Sequence, residues 1–521
     1  MTLGKGDFMH TQNQFNLVDE PWIPIAGHGL ASLSDIFSKP HFKALGGNPI
    51  QKISVLKLLL AICQTAATPQ DDDEWAQMGA QGMAEKALAY LKEKRDCFWL
   101  YGEKPFLQMP AIEKAAEQTF GAILPEISTG NTTVLTQSQV EQNLSDAEKA
   151  LLLIQVMNFA LSGKKTDNSI CLSPNYSGKM NDKGKPSTGK SGPALAFMGL
   201  LHSYIVGDSL LSTLWLNLAS LELVNQSNTV KNGLGFPPWE KMPTGEVCDT
   251  AMQLQYSWIG RLTPLSRFLL LKGNTIHYSE GIYYPNYKDG FIESSVAANT
   301  SGKEIKVLWS DPEKRPWRSL VSLLSFLNSN QANDFDCQNI RFAIKRARSH
   351  ENHIDKIGIW NGGLRVSSNA GEQYVSGTDD FVESEIYLPT AYLGESWYHN
   401  LKKEMSDLDD LSKNVYGTVL AYFKECNVEG KSHAAQASNL FWQLCEPQFP
   451  KLLDACELIE KLPEARQIFA NIVTRCYDTH CPKETARQLD AWAKCRPQIG
   501  WYLKGESPNS KNSKKAKKAK A

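Results

Sequence analysis

The chain is most informative first for what it does not contain. Eleven cysteines are scattered over 521 residues, with no C-x-x-C pair and an odd total. A disulfide framework is therefore excluded in favour of free thiols in a reducing compartment. Cys476, His480 and Cys481 lie close together, but no second ligand pair stands at zinc-finger spacing, so no metal is expected there. Charge of one sign is missing too: 55 Lys and Arg against 56 Asp and Glu leave a formal net charge of −1. A polycation that coats nucleic acid is ruled out, and any contact with DNA or RNA must use locally gathered cations. The first residues, MTLGKGDFMHTQNQ, have no apolar signal core, and stretches such as 195–206 are too short to span a bilayer. A cytoplasmic protein without a membrane partner is the expectation. Neither G-x-S-x-G nor H-E-x-x-H occurs, and no carboxylate pair is singled out, so no covalent chemistry is expected.

What is present divides the chain. At 521 residues it exceeds one compact core. FNLVDEPWIPI (15–25) reads as one or two short strands broken by Pro21 and Pro24. Residues 50–67 are apolar around most of a helical circumference, which marks a buried helix. The Asp71–Glu74 carboxylates sit where the next helix begins and read as capping. Residues 123–139 form a long loop without helical period. Ser145 and Glu148 make a capping box for a helix over 146–162. A second long loop, 163–192, carries six lysines against two aspartates, and helices are expected at about 194–206 and, capped by Asp208, at 209–219. Short strands follow over 255–310, with a hairpin in 268–285. Beyond about 390 the pattern is helical. The fold class is α+β: a mixed N-terminal domain over 1–388, a C-terminal four-helix bundle over 389–505, and a basic tail, 506–521, expected to be disordered.

One motif match needs its context. Gly184 to Ser191 fits G-x-x-x-x-G-K-[ST], the phosphate-cradling loop, with Lys190 and Ser191 in the key positions. That chemistry requires an apolar strand directly before the loop, and Ser173 to Lys183 is polar and rich in Gly, Pro and Asn. The same glycines and lysines suit close approach to a phosphate backbone without hydrolysis, and equally an ordinary solvated loop. His350 and His353 lie in a charged run with no third ligand and read as a solvated face.

Several segments, in order, resemble the CasA family, the large subunit of the type I-E CRISPR surveillance complex (Cascade). They are Asp19-Glu20-Pro21-Trp22-Ile23-Pro24, the helix and acidic cap of 58–75, TGNTTVLTQ (129–137), Thr263-Pro264-Leu265-Ser266-Arg267 and Trp360-Asn361-Gly362-Gly363-Leu364-Arg365. The resemblance implies a non-enzymatic protein without cofactor. It would recognise the protospacer-adjacent motif (PAM) in double-stranded DNA through the minor groove, begin strand separation and help recruit the helicase–nuclease. Guide pairing would read the remaining sequence. Its partners would be crRNA, target duplex, and the guide-handle-binding, backbone and small subunits.

By the same resemblance, Asn131, Thr132, Val134, Leu135 and Thr136 would dock against the guide's 5′ handle and the neighbouring subunit. Tyr176, Ser177, Gly178 and Lys179, with 184–192 beside them, would form the minor-groove loop. Lys272 would be the lysine finger, and Ser367, Ser368, Asn369 and Ala370 the strand-separating wedge. The pattern departs from the family in two places. No cysteine stands in 250–267 for a zinc knuckle, and the wedge glutamine has no counterpart unless Asn369 takes its place. A P-loop NTPase and a purely scaffolding subunit are the alternatives.

Overall fold

The computed structural model describes residues 14–124, 143–159, 166–174, 176, 178, 180, 183, 199–227, 229–328, 335–350, 354–365 and 381–506. The chain forms two compact units, Met1–Pro316 with Phe335–Glu385, and Trp317–Asp334 with Ile386–Ala521.

The first unit is built around the helix Pro49–Ala67. Asn48 and Gln51 cap each other reciprocally at its start, Pro49 occupies the first turn, and buried side chains line nearly its whole surface. It is long and apolar enough to cross a membrane, yet most of it is buried within this unit. The acidic cluster caps as expected: Asp71 accepts from the Glu74 N–H at the start of helix Asp72–Glu93. Asp72 adds an ion pair to buried Arg346 at 2.8 Å. Trp22 of the D-x-x-W-I-P element is wholly buried and donates its indole N–H to Leu17 O.

Three small facts of sequence differ from expectation. His202–Val206 is a strand, not the end of a helix over 194–206. It pairs antiparallel with Lys356–Leu364, Gly358 opposite Val206 and Gly362 opposite His202. All five of its residues are buried, so its pattern carries no period, and pairing decides the conformation. The next helix is Leu210–Leu216, capped by Ser209 rather than Asp208. The helix opened by Ser145 runs over Asp146–Asn158. Phe381–Pro389 completes a three-stranded sheet on the other side of Lys356–Leu364.

A second three-stranded sheet carries the candidate site. Arg267–Lys272 and Thr275–Glu280 form the expected hairpin, and Glu117–Thr119 pairs with its second strand. The hairpin turns on Gly273 and Asn274. Gly273 takes φ +56°, a left-handed value that a side chain would oppose.

The second unit is helical: Glu395–Glu425, Lys431–Cys445, Phe449–Glu457 and Leu462–His480 pack on one another, followed by Ala486–Lys494. Leu401, Leu408, Val415 and Tyr422 recur every seven residues along the first helix and are buried. Glu404 lies buried on this helix, where the Arg466 guanidinium holds it in a two-pronged ion pair. Residues from before the sheet strands join this unit because Trp317 packs on Phe449, ring centroids 4.5 Å apart, and Arg318 covers the Trp442 ring.

Candidate nucleic-acid interface

The hairpin sheet collects the ends of the two long loops. Lys272 stands at its tip, exposed, with Nζ 2.9 Å from Glu117 Oε1 on the opposite outer strand of the sheet. Thr275 donates its hydroxyl to the other oxygen of Glu117 at 3.0 Å. The Lys272 hydrogen bond and then that of Thr275 hold the Glu117 carboxyl below its ordinary range, and Glu117 raises Lys272 in turn. Both groups stay in water, so the pair is screened and yields readily to a stronger anion.

The first long loop leaves and returns beside this tip. Thr119 leads into the short helix Phe120–Ile123, capped by Leu124. On the return, Asn143 accepts a hydrogen bond from the Asn274 amide at 2.9 Å. The docking residues Asn131, Thr132, Val134, Leu135 and Thr136 lie outside the described residues.

The second long loop touches the same sheet at its other end. Asp167 donates its N–H to Tyr278 O at 2.8 Å, and its carbonyl accepts from Ser279 Oγ. Its carboxylate accepts the Ala116 N–H just before strand Glu117–Thr119. Further along, Tyr176 donates its N–H to Ser173 O, and its ring lies against Gly178, where a Cβ would meet Cζ at 2.5 Å. Burial first, then the Glu280 and Glu246 carboxylates, push the Tyr176 phenol up to about 12. Glu280 ends the second hairpin strand, so this turn and Lys272 stand at opposite ends of one hairpin. The ends of that strand, Thr275 and Glu280, lie five residue steps apart, about 17 Å. Ser177 and Lys179 lie outside the described residues, as do 184–191. The described residues between 166 and 183 make turns without a regular strand.

The wedge positions Ser367, Ser368, Asn369 and Ala370 also lie outside the described residues. Their root is well defined. Strand Lys356–Leu364 carries the Trp-Asn-Gly-Gly run, where the Asn361 amide oxygen accepts from Ser203 Oγ and the Trp360 indole donates to Glu383. A Cβ on Gly363 would stand 2.6 Å from Leu200 O and would also collide with Ser310 Oγ, so only glycine fits. Arg365 leaves the strand paired with Asp311 at 3.4 Å.

Four residues that hold these parts were not singled out from the sequence: Glu117, Asn143, Asn274 and Glu246. Asn274 follows Gly273 in a turn signature that marks the hairpin, but the other three act across 73 or more positions of chain. No metal-holding group of three or more His, Cys, Asp or Glu occurs among the described residues.

A family profile described as CRISPR-associated protein Cse1 matches residues 16–476. A CasA/Cse1 protein of Thermus thermophilus is 30% identical over 163 residues, which are 28% of this chain and 32% of that protein. The structure of Thermus thermophilus CasA matches with a TM-score of 0.69 at 19% identity, covering 92% of this chain and 98% of the other. Thermobifida fusca Cse1 matches with a TM-score of 0.72 at 18% identity, covering 95% and 99%. A chain of a CRISPR RNA-guided surveillance complex matches with a TM-score of 0.64 at 14% identity, covering 92% and 98%. A profile that spans most of the sequence, together with one fold shared from end to end, places its descent: the chain belongs to the CRISPR-associated Cse1 family, whose members also carry the name CasA.

Proposed function

We propose that this protein is the large subunit of a cytoplasmic, crRNA-guided surveillance complex, and that it reads a short protospacer-adjacent motif in duplex DNA. Family membership supports the assembly, as does the shared fold with a chain of a CRISPR RNA-guided surveillance complex. The observation that carries the DNA reading is the hairpin sheet, with Lys272 at one end and the Tyr176–Gly178 turn at the other. The hairpin strand itself, about 17 Å long, matches about five base pairs of duplex at 3.4 Å each, the scale of a short motif. Lys272 would enter the minor groove, and the glycine turn would lie along it. The 367–370 wedge would then offset the unstacking of the first base step, a cost of about a few kcal/mol.

Asn131, Thr132, Val134, Leu135 and Thr136 would seat the subunit on the crRNA handle and the adjoining handle-binding subunit. The backbone and small subunits would complete the assembly, and the opened duplex would support recruitment of the helicase–nuclease. The work is binding and duplex opening, with no covalent step and no cofactor.

Binding of guide-matched duplex by the reconstituted complex tests this. Lys272→Ala and Asn369→Ala should each weaken it while leaving assembly intact. Unchanged binding in both variants would leave only a scaffold, and ATP hydrolysis lost in Lys190→Ala would point to a nucleotidase.

A further inference from the structure

The glycine turn is held by a carboxylate that the DNA reading does not otherwise use. Glu246 is almost wholly buried, at 3% exposure. Its Oε2 accepts the Ser173 N–H at 2.8 Å and the Leu172 N–H at 3.1 Å, and Oε1 accepts the Leu172 N–H at 3.2 Å. Two successive backbone donors converging on one buried carboxylate make a strong, directional clamp. The clamp is reciprocal, because Val247 N–H donates to Ser173 Oγ at 3.0 Å. Gly245 completes it by close approach: a Cβ there would stand 3.1 Å from the Ser173 nitrogen and would strike its hydroxyl.

From this anchor the turn builds outward. The Cys171 thiol reaches the carbonyls of Ser173 and Tyr176, both at 3.3 Å. Ser173 O accepts the Tyr176 N–H, and the Tyr176 ring fixes Gly178. These contacts tie 171–178 back to 172–173, and so to Glu246.

We infer that Glu246 is a positioning residue for motif reading: it sets the Tyr176–Gly178 turn at the height needed to meet the minor groove. The inference rests on the proposed DNA reading. It assigns to a buried acid, 68 or more positions from the turn it serves, control over how the complex discriminates duplex motifs.

Glutamine in place of Glu246 keeps the shape but offers one acceptor and turns an N–H group toward backbone N–H donors. The test uses the complex assembled with guide and compares two targets, a motif-bearing duplex and the guide-complementary single strand. The second needs no motif reading. Glu246→Gln should weaken duplex binding about tenfold, the scale of one lost charge-assisted contact, and flatten the preference between motif and altered motif. Single-strand binding should stay unchanged.

If Glu246→Gln leaves duplex binding intact while Tyr176→Ala weakens it, the inference is overturned and the DNA reading stands. If both leave it intact, the reading falls as well. If Glu246→Gln does not assemble, Ser173→Ala decides, since it removes only the reciprocal bond: loss confined to the duplex supports the clamp, and no loss overturns it.

Discussion

Lys272 and Glu117 stand on the two outer strands of one sheet, and their side chains meet at 2.9 Å past Thr275 of the strand between them, so the cation proposed to enter a groove is held by an exposed carboxylate. The pair keeps the lysine extended at the hairpin tip without burying it. A phosphate or base edge must displace Glu117, and opposite substitutions should therefore have opposite effects. Lys272→Ala should weaken duplex binding and lower the salt slope by about 1. Glu117→Gln should strengthen binding at the same salt. Titration of labelled duplex across a salt series measures both.

The same pair sets a pH expectation. Lys272 and Thr275 hold the Glu117 carboxyl below its usual value of 4.5, so the pair is intact at neutral pH. It is lost only as the pH falls through the lowered value. The ratio of wild-type to Glu117→Gln affinity should stay constant from pH 8 to about 5, because no group of the pair titrates there.

A buried ion cluster stabilises the first unit. Glu293 meets Lys57 at 3.1 Å and Arg261 at 3.0 Å; Lys57 and Arg261 are buried, and the Glu293 side chain is 9% exposed. Glu293→Leu strands two cations and should cost about 3–5 kcal/mol. Lys57→Met leaves the Glu293–Arg261 pair in place and should cost clearly less. Denaturant melts of the two variants give the order, and the reverse order would contradict the cluster as described.

His202 makes stability depend on pH. Burial first, and then the Lys57 charge, push its imidazole down to about 3, with Nδ1 bonded to Ser295 Oγ at 2.8 Å. The unfolded chain takes up a proton near 6.5 that the folded chain refuses until about 3. Stability should therefore fall as pH drops through this window, by at most about 1.4 kcal/mol per unit from this group. Comparison of melting profiles for wild type and His202→Gln isolates the contribution, which the variant lacks.

Gly363 should not tolerate a methyl group. Its added Cβ would meet the Leu200 carbonyl, so the strand bearing the wedge root would have to shift. Gly363→Ala should cost about 1–3 kcal/mol in thermal melts, and Gly417→Ala, which meets nothing within 4 Å, serves as the control.

Much of this architecture was legible in the chain. The Asp71 and Ser145 caps, the apolar helix over 50–67 and the hairpin turn at Gly273 are local signals, and each falls where local chemistry puts it. The strand His202–Val206 was not legible, because a segment buried on both faces has no period to distinguish strand from helix. Lys272 was singled out from resemblance and from its place before a turn glycine. Its partner Glu117 and the clamp Glu246 were not, since an ion pair or backbone clamp across 73 or more residues leaves no mark in sequence spacing.

The most direct test maps where the hairpin ends lie on DNA. A photo-crosslinking residue placed at position 272, and separately at 176, in the assembled complex would be sequenced against a guide-matched duplex. The account predicts crosslinks from both positions to the motif-proximal duplex, centred about five base pairs apart. Crosslinks to protein alone, or to DNA from neither position, would contradict it.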